Sequence, residues 1–93
     1  MNMVRPYRLA PGVALRPEAF GGLVYRYDDR RLYVIHSLEA ATFVSGLDGV
    51  RRMDEAIAEF VSRNGLSQTA RDALLRTVEQ LERKGVIAPV DAT

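Results

Sequence analysis

Residues 13–37, VALRPEAFGGLVYRYDDRRLYVIHS, decide the fold that the sequence predicts. An alternating apolar run begins at Val13 and stops before Pro17, which predicts a short strand near a sheet edge because proline lacks a backbone N–H. Gly21 and Gly22 allow a sharp re-entry into the next strand, since neither carries a Cβ that would clash at positive φ. The stretch therefore begins with two predicted strands joined by a turn.

A hairpin follows within residues 23–36, LVYRYDDRRLYVIH, as two β-rich runs around a polar turn. Aspartate in a turn can hydrogen-bond its own backbone, so Asp28 and Asp29 mark the reversal. If the loop holds three residues, Tyr25 lies opposite Tyr33, and a change of one residue would exchange the two faces. Both faces carry apolar side chains, so we expect part of the second face to be covered.

Helices are predicted after Ser37, where the apolar period changes from two to about 3.6 residues. Ser37 is a candidate N-cap for a short helix that ends at Asp48–Gly49. A second helix ends at Asn64–Gly65, and Ser67 caps the longest helix, which ends at Gly85. The predicted fold is α+β and winged helix-turn-helix-like: a three-stranded antiparallel sheet followed by three helices, with a short extended segment at the end.

The chain of 93 residues has the length of one domain. Its first twelve residues, MNMVRPYRLAPG, contain two prolines and a glycine, which predicts an extended N-terminal arm over 1–12. We expect the folded domain to cover 13–88 and a C-terminal tail to cover 89–93.

Composition argues against several classes of function. Thirteen basic and twelve acidic residues give a formal charge of +1, which is too balanced to indicate nucleic acid or an anionic membrane as partner. The chain has no cysteine and His36 is its only histidine, so we predict no metal site and no cofactor. No phosphate-loop motif and no carboxylate pair in an apolar setting is present, so we predict that the protein is not an enzyme. Without a signal-type segment or a membrane span, we expect a cytoplasmic location.

Two binding functions remain open from the residues alone. Strands followed by three helices also suit a winged-helix DNA-binding protein, but Arg71 and Arg76 alternate with Asp72 and Glu79 on the last helix, which disfavours contact with duplex phosphates. The other candidate is capture of an extended peptide at the strand edge over residues 30–36. That strand is equally expected to end the sheet under the long helix.

Two further alternatives concern the same region. By helical spacing, Leu75 lies on the shoulder of the last helix, where it is either peripheral core or the wall of an exposed groove. The strand edge could instead serve a homodimer, or act only as a structural dimerisation module.

Residues 7–37 resemble the mycofactocin biosynthesis chaperones of the MftB family, most closely in VALRPEAFGGLVY and in the RRL that follows the turn. Residues 47–87 are similar to the wider family of precursor-peptide carriers that includes PqqD. The resemblance covers about residues 7–88. One departure is that LYVIHS lacks the proline-containing ending common in the broader carriers.

The resemblance implies a RiPP recognition element over 13–88, a small winged-helix-like domain. Members of the family bind the leader segment of a ribosomally made precursor peptide as an added strand and present it to a radical SAM maturase. Carried onto this chain, the peptide would lie between the strand 31–35 and the last helix. The implied peptide-binding residues are Arg31, Leu32, Tyr33, Val34, Ile35, Arg71, Leu74, Leu75 and Val78.

Overall fold

The three-stranded antiparallel sheet has the order β2-β3-β4, and three helices follow it along the chain. The computed structural model describes residues 1–90. The elements in chain order are β1 (Tyr7–Leu9), β2 (Val13–Glu18), β3 (Gly21–Arg26), β4 (Arg31–Ile35), α1 (Leu38–Ser45), α2 (Met53–Asn64), α3 (Gln68–Arg83) and β5 (Ile87–Pro89). The predicted α+β class, with a three-stranded sheet before three helices, is confirmed.

The β3–β4 hairpin is paired one residue away from the predicted register. Val24, rather than Tyr25, lies opposite Tyr33, because the loop holds the four residues 27–30 instead of three. The extra residue is accommodated at Arg30, whose φ of 58° is left-handed. The predicted Tyr25–Tyr33 pairing was therefore wrong.

This register decides which face of the hairpin is buried. Side chains alternate across a strand, so Val24 and Ile35 face the helices, and both are almost fully buried. Leu32 and Val34 face the opposite way and are 60% and 45% exposed. The expectation that part of the second face is covered does not hold for these two side chains.

The β2–β3 turn requires glycine at position 21. Gly21 has a φ of +148°, and a Cβ there would lie 2.0 Å from the carbonyl oxygen of Ile35 and 2.9 Å from the amide nitrogen of Ser37. The end of β4 and the start of α1 therefore pack directly against the backbone of this residue. Ser37 then caps α1 as predicted, its hydroxyl accepting from the amide of Ala40 at 3.1 Å.

The helix boundaries follow local capping. α1 ends at Ser45, short of the predicted Asp48–Gly49, because Asp48 instead accepts hydrogen bonds from the amides of Val50 and Arg51 and so organises the loop. α2 ends where predicted, with Gly65 in the left-handed conformation. Ser67 caps α3 as predicted and accepts from the amide of Ala70 at 3.1 Å.

The N-terminal segment packs on the body of the protein. Within the predicted arm, β1 pairs antiparallel with β5, Tyr7 lying opposite Pro89. Tyr7 is 1% exposed, and its hydroxyl donates to Oε2 of Glu82 on α3 at 2.8 Å. Of the predicted C-terminal tail, residues 91–93 lie outside the described residues.

One core cluster joins the sheet, the helices and the N-terminal segment. Its members are Tyr7, Val24, Ile35, Ala40, Ala41, Phe43, Val44, Met53, Ala56, Ile57, Leu74, Val78, Leu81, Val86 and Ile87. α3 supplies Leu74, Val78 and Leu81 at helical spacing, so this helix packs one stripe on the core.

We expect Gly21→Ala to lower the free energy of unfolding by about 3 kcal/mol, since both backbone strain and the clash with Ile35 oppose a Cβ. Gly12→Ala is the matched control. Gly12 also has a positive φ, but no atom lies within 4 Å of its built Cβ, so the expected loss is about 1 kcal/mol from conformation alone. Urea denaturation measures both, and equal losses would contradict the close approach.

Burial raises the pKa of the Tyr7 phenol above its ordinary value near 10. Unfolding at higher pH therefore exposes a phenol that ionises more readily than in the folded state, so the free energy of unfolding falls as pH rises above about 10. Tyr7→Phe should remove this part of the alkaline loss and cost about 1 kcal/mol at pH 8 through the lost hydrogen bonds. Urea denaturation at pH 8 and 11 tests this, and identical alkaline losses in both proteins would refute it.

Candidate functional site

β4 forms an open edge of the sheet. It pairs with β3 on one side, and within residues 1–90 no strand pairs with its other side. An open edge carries unpaired N–H and C=O groups that can form a ladder with another chain. An open strand edge next to the last helix is the arrangement that capture of an extended peptide requires.

Two residues of β4 direct their main-chain groups to the open side. The amide of Tyr27, the residue after β3, donates to the carbonyl oxygen of Gly12 on the β2 side at 2.9 Å. Along a strand, the main-chain groups of successive residues point to alternate sides. Val24 therefore directs its groups to β4 and exchanges hydrogen bonds with Tyr33. The close approach of the Ile35 carbonyl to β3 agrees with this alternation.

The same alternation turns the N–H and C=O groups of Leu32 and Val34 outward. β4 thus offers two donors and two acceptors along its open side. The two residues that carry them lie about 6.6 Å apart along the strand. The main-chain groups of Tyr33 and Ile35, which the resemblance also assigned to peptide binding, are directed to β3.

The opposite edge, on β2, is poorer in free donors. The amide of Val13 donates to Ala10 at 3.2 Å, and Pro17 has no amide hydrogen. Since Leu23 and Tyr25 of β3 bond β2, the alternation leaves Leu15 as the outward amide donor between them. The edge of β4 is therefore the better template for an added strand.

A groove of about 220 Å³ runs between β4 and α3. It is lined by Tyr33, Val34, Ile35, His36, Ser37, Thr77, Gln80, Leu81 and Lys84. Ile35 and Leu81 are 3% and 5% exposed and give it an apolar floor, while the α3 wall is polar. A strand added to β4 would place alternate side chains over this groove.

Arg26 holds α3 beside the hairpin. Its Nη1 donates to the carbonyl oxygen of Lys84 at 2.6 Å, at the C-terminal end of α3. Its Nη2 donates to Asp28 at 3.0 Å, and this hydrogen bond with the carboxylate raises the pKa of Arg26 and lowers that of Asp28. Gly85 leaves room for the contact, since a Cβ there would lie 2.6 Å from the same Nη1.

The predicted site residues on the strand and on the helix are placed differently. Tyr33, Val34 and Ile35 line the groove, and Arg31 and Leu32 belong to the same strand. On α3, Leu74 and Val78 lie within the core, 4% and 0% exposed, and neither is among the residues that line the groove.

Arg71 and Leu75 lie on the flank of α3 that turns away from the groove. At about 100° per residue they share this flank with Glu82, which contacts Tyr7 of the N-terminal segment. Leu75 is partly buried against the core. Of the two interpretations of this side chain, the peripheral core fits its position.

The sequence interpretation missed the α3 residues that do line the groove. They are Thr77, Gln80 and Lys84, which occupy the opposite flank at spacings of three and four, and Leu81 of the buried stripe beside them. Helical periodicity identifies the two flanks of the buried stripe, but it does not tell which of these flanks lies next to β4. Lys84 carried one further signal, because it is the only lysine in the chain.

Arg51 and Arg52, which begin the approach to α2, are largely balanced by acids. Arg51 pairs with Asp48 and Glu59, and Arg52 pairs with Asp54 at 2.5 Å. Among residues 1–90 there is no group of three metal-ligating side chains, and no helix is both long and apolar enough to cross a bilayer.

The comparison with protein families gives a match over nearly the whole chain. A family model described as the peptide chaperone MftB family matches residues 6–88. The chain belongs to this family. It is accordingly a peptide chaperone of mycofactocin biosynthesis rather than an enzyme, as the resemblance in its hairpin predicted. Neither a curated protein nor a solved structure matches the chain.

We expect Arg26→Met to lower the thermal midpoint and to speed amide exchange in the last turn of α3, since the carbonyl of Lys84 loses its donor. Arg16→Met is the control, because Arg16 is exposed and its ion pair within residues 1–90 is with Glu18 on its own strand. Differential scanning calorimetry and hydrogen exchange measure the two effects. An Arg26→Met protein that matches the control in both would show that Arg26 does not hold α3.

Proposed function

We propose that the protein captures the leader segment of a ribosomally made precursor peptide as a fourth strand on β4 and presents it to a radical SAM maturase in the cytoplasm. The observation that supports this most directly is the open edge of β4 beside a groove. The family supplies the peptide ligand in general terms. The leader segment, the strand addition and the maturase are our extension of it.

The main chain would supply the sequence-independent part of the affinity. Leu32 and Val34 offer four outward groups, and each hydrogen bond formed contributes about 1 kcal/mol net of the bonds lost to water. Ordering a flexible peptide costs about 2–5 kcal/mol. Main-chain pairing alone therefore barely offsets the ordering cost.

The groove would supply the remaining affinity and the selectivity. The peptide's side chains alternate between the α3 side and the outer face. On the α3 side they meet the apolar floor of Ile35 and Leu81 and the polar wall from Thr77 to Lys84. This wall takes the place of the one that the resemblance implied with Arg71, Leu74, Leu75 and Val78.

The test is residue-resolved amide hydrogen exchange, by NMR, with and without the leader segment of the mycofactocin precursor peptide. We expect the amides of Leu32 and Val34 to gain at least tenfold protection on saturation, because they acquire acceptors. The amides of Tyr33 and Ile35 already pair with β3 and should change less. Uniform protection along β4, or protection confined to β2, would refute strand addition at this edge.

Two variants make this experiment specific to the groove. Thr77→Trp fills part of the groove from its α3 wall with a bulky uncharged side chain, and we expect it to weaken leader binding in calorimetric titration. Arg71→Ala, on the other flank of α3, should bind as the wild type does. Protein concentration distinguishes peptide binding from a homodimer through the same edge. Dimerisation would protect the amides of Leu32 and Val34 without peptide, and the protection would increase with protein concentration.

A further inference from the structure

The basic side chains around the groove differ in whether an acid already pairs with them. Arg26 pairs with Asp28 at 3.0 Å, Arg31 lies 3.7 Å from Asp29, and Arg83 lies 3.9 Å from Glu79. Lys84 has no carboxylate within 4 Å among the described residues. Its ammonium lies instead 5.2 Å from the centroid of the Tyr33 ring, in an exposed position.

The groove itself contains no acid. Its lining, within residues 1–90, consists of apolar, hydroxyl, amide and imidazole side chains together with the ammonium of Lys84. An anionic side chain entering the Lys84 end of the groove would therefore meet a cation and no competing carboxylate.

We propose that Lys84 selects an acidic side chain of the bound peptide and thereby sets its register on β4. This inference rests on the proposed strand addition and names the class of peptide accepted. The ammonium keeps donors free while it lies over Tyr33, so a carboxylate can pair with it without displacing an internal partner. The cation contributed by α3 is thus Lys84, in place of Arg71 on the far flank.

The strand geometry converts this contact into a sequence pattern. Tyr33 and Ile35 face the groove two residues apart, so their peptide neighbours on the same face are also two residues apart. The position beside Tyr33 and Lys84 takes aspartate or glutamate. The position beside Ile35, above Leu81, takes an apolar side chain. The accepted segment is an extended peptide in which an acidic and an apolar residue are separated by one residue.

The chemistry of Lys84 can be changed without changing its structural contact. Arg26 bonds the main-chain carbonyl of residue 84, which every substitution retains. Lys84→Gln removes the charge and Lys84→Glu reverses it. Arg83→Gln is the matched control, since Arg83 already lies near Glu79 and is not part of the groove lining.

The experiment is selection of a displayed library of random twelve-residue peptides on the wild type and on each variant. We expect wild-type and Arg83→Gln proteins to enrich an acidic residue two positions from an apolar one. Lys84→Gln should lose the acidic preference but keep the apolar one, and Lys84→Glu should enrich lysine or arginine at that position. An unchanged acidic preference in Lys84→Glu overturns the proposal.

A single enriched peptide then gives the contribution of its acidic side chain to the affinity and shows which amine that side chain contacts. Replacing its acidic residue by the amide should weaken binding to the wild type about fivefold at low salt, less at high salt, and leave binding to Lys84→Gln unchanged. Carbodiimide coupling should join its carboxylate to Lys84, the only lysine of the chain. Coupling to the N-terminal amine instead, which lies 3.7 Å from Glu82, would count against the proposal.

The two hypotheses fail differently. If acid and amide peptides bind equally and both protect the amides of Leu32 and Val34, strand addition stands and selection by Lys84 is refuted. If enriched peptides bind without protecting those amides, the proposed strand addition is refuted and the register inferred from it falls too.

Discussion

The candidate site depends on the placement of α3 beside the hairpin, which is fixed by the buried stripe of the helix and, at its C-terminal end, by the hydrogen bond from Arg26 to the carbonyl of Lys84. This hydrogen bond joins the end of β3 to the end of α3, so the helix lies beside β4 at a fixed separation rather than across its edge. Gly85 permits the approach, and Asp28 orients the guanidinium. A helix seated one side chain closer would fill the groove, and one released from the hairpin would give it no wall.

The length of the β3–β4 loop has an equally large effect. One residue more or less in the loop changes which β4 residues turn their main-chain groups to β3 and which turn them to the open side. In the observed register, Tyr33 and Ile35 turn their side chains to the helices and their main-chain groups to β3. Leu32 and Val34 do the reverse. A three-residue loop would have shifted the partner of each β4 residue by one position. The left-handed residue Arg30 therefore helps to decide which amides face the open side of β4.

The sequence predicts this protein well where the signal is local and poorly where it is tertiary. Ser37 and Ser67 announce two helices because a hydroxyl before an apolar period satisfies free amides. The sequence does not specify the hairpin register, since both faces of the hairpin carry apolar side chains and the composition of the loop does not determine its length. Leu75 was a reasonable groove candidate on a helical wheel, but only the packing of α3 shows that the opposite flank meets β4.

The two edges of the sheet differ in a way that stability alone does not explain. On β2, proline and an internally bonded amide leave little for another chain to pair with. On β4, two outward amides and the exposed side chains of Leu32 and Val34 remain, which is the arrangement that folded proteins ordinarily suppress because it promotes aggregation. A domain selected only for stability would gain by protecting both edges. One protected edge and one open edge beside a groove are what a chaperone needs if it must accept one extended chain in one place.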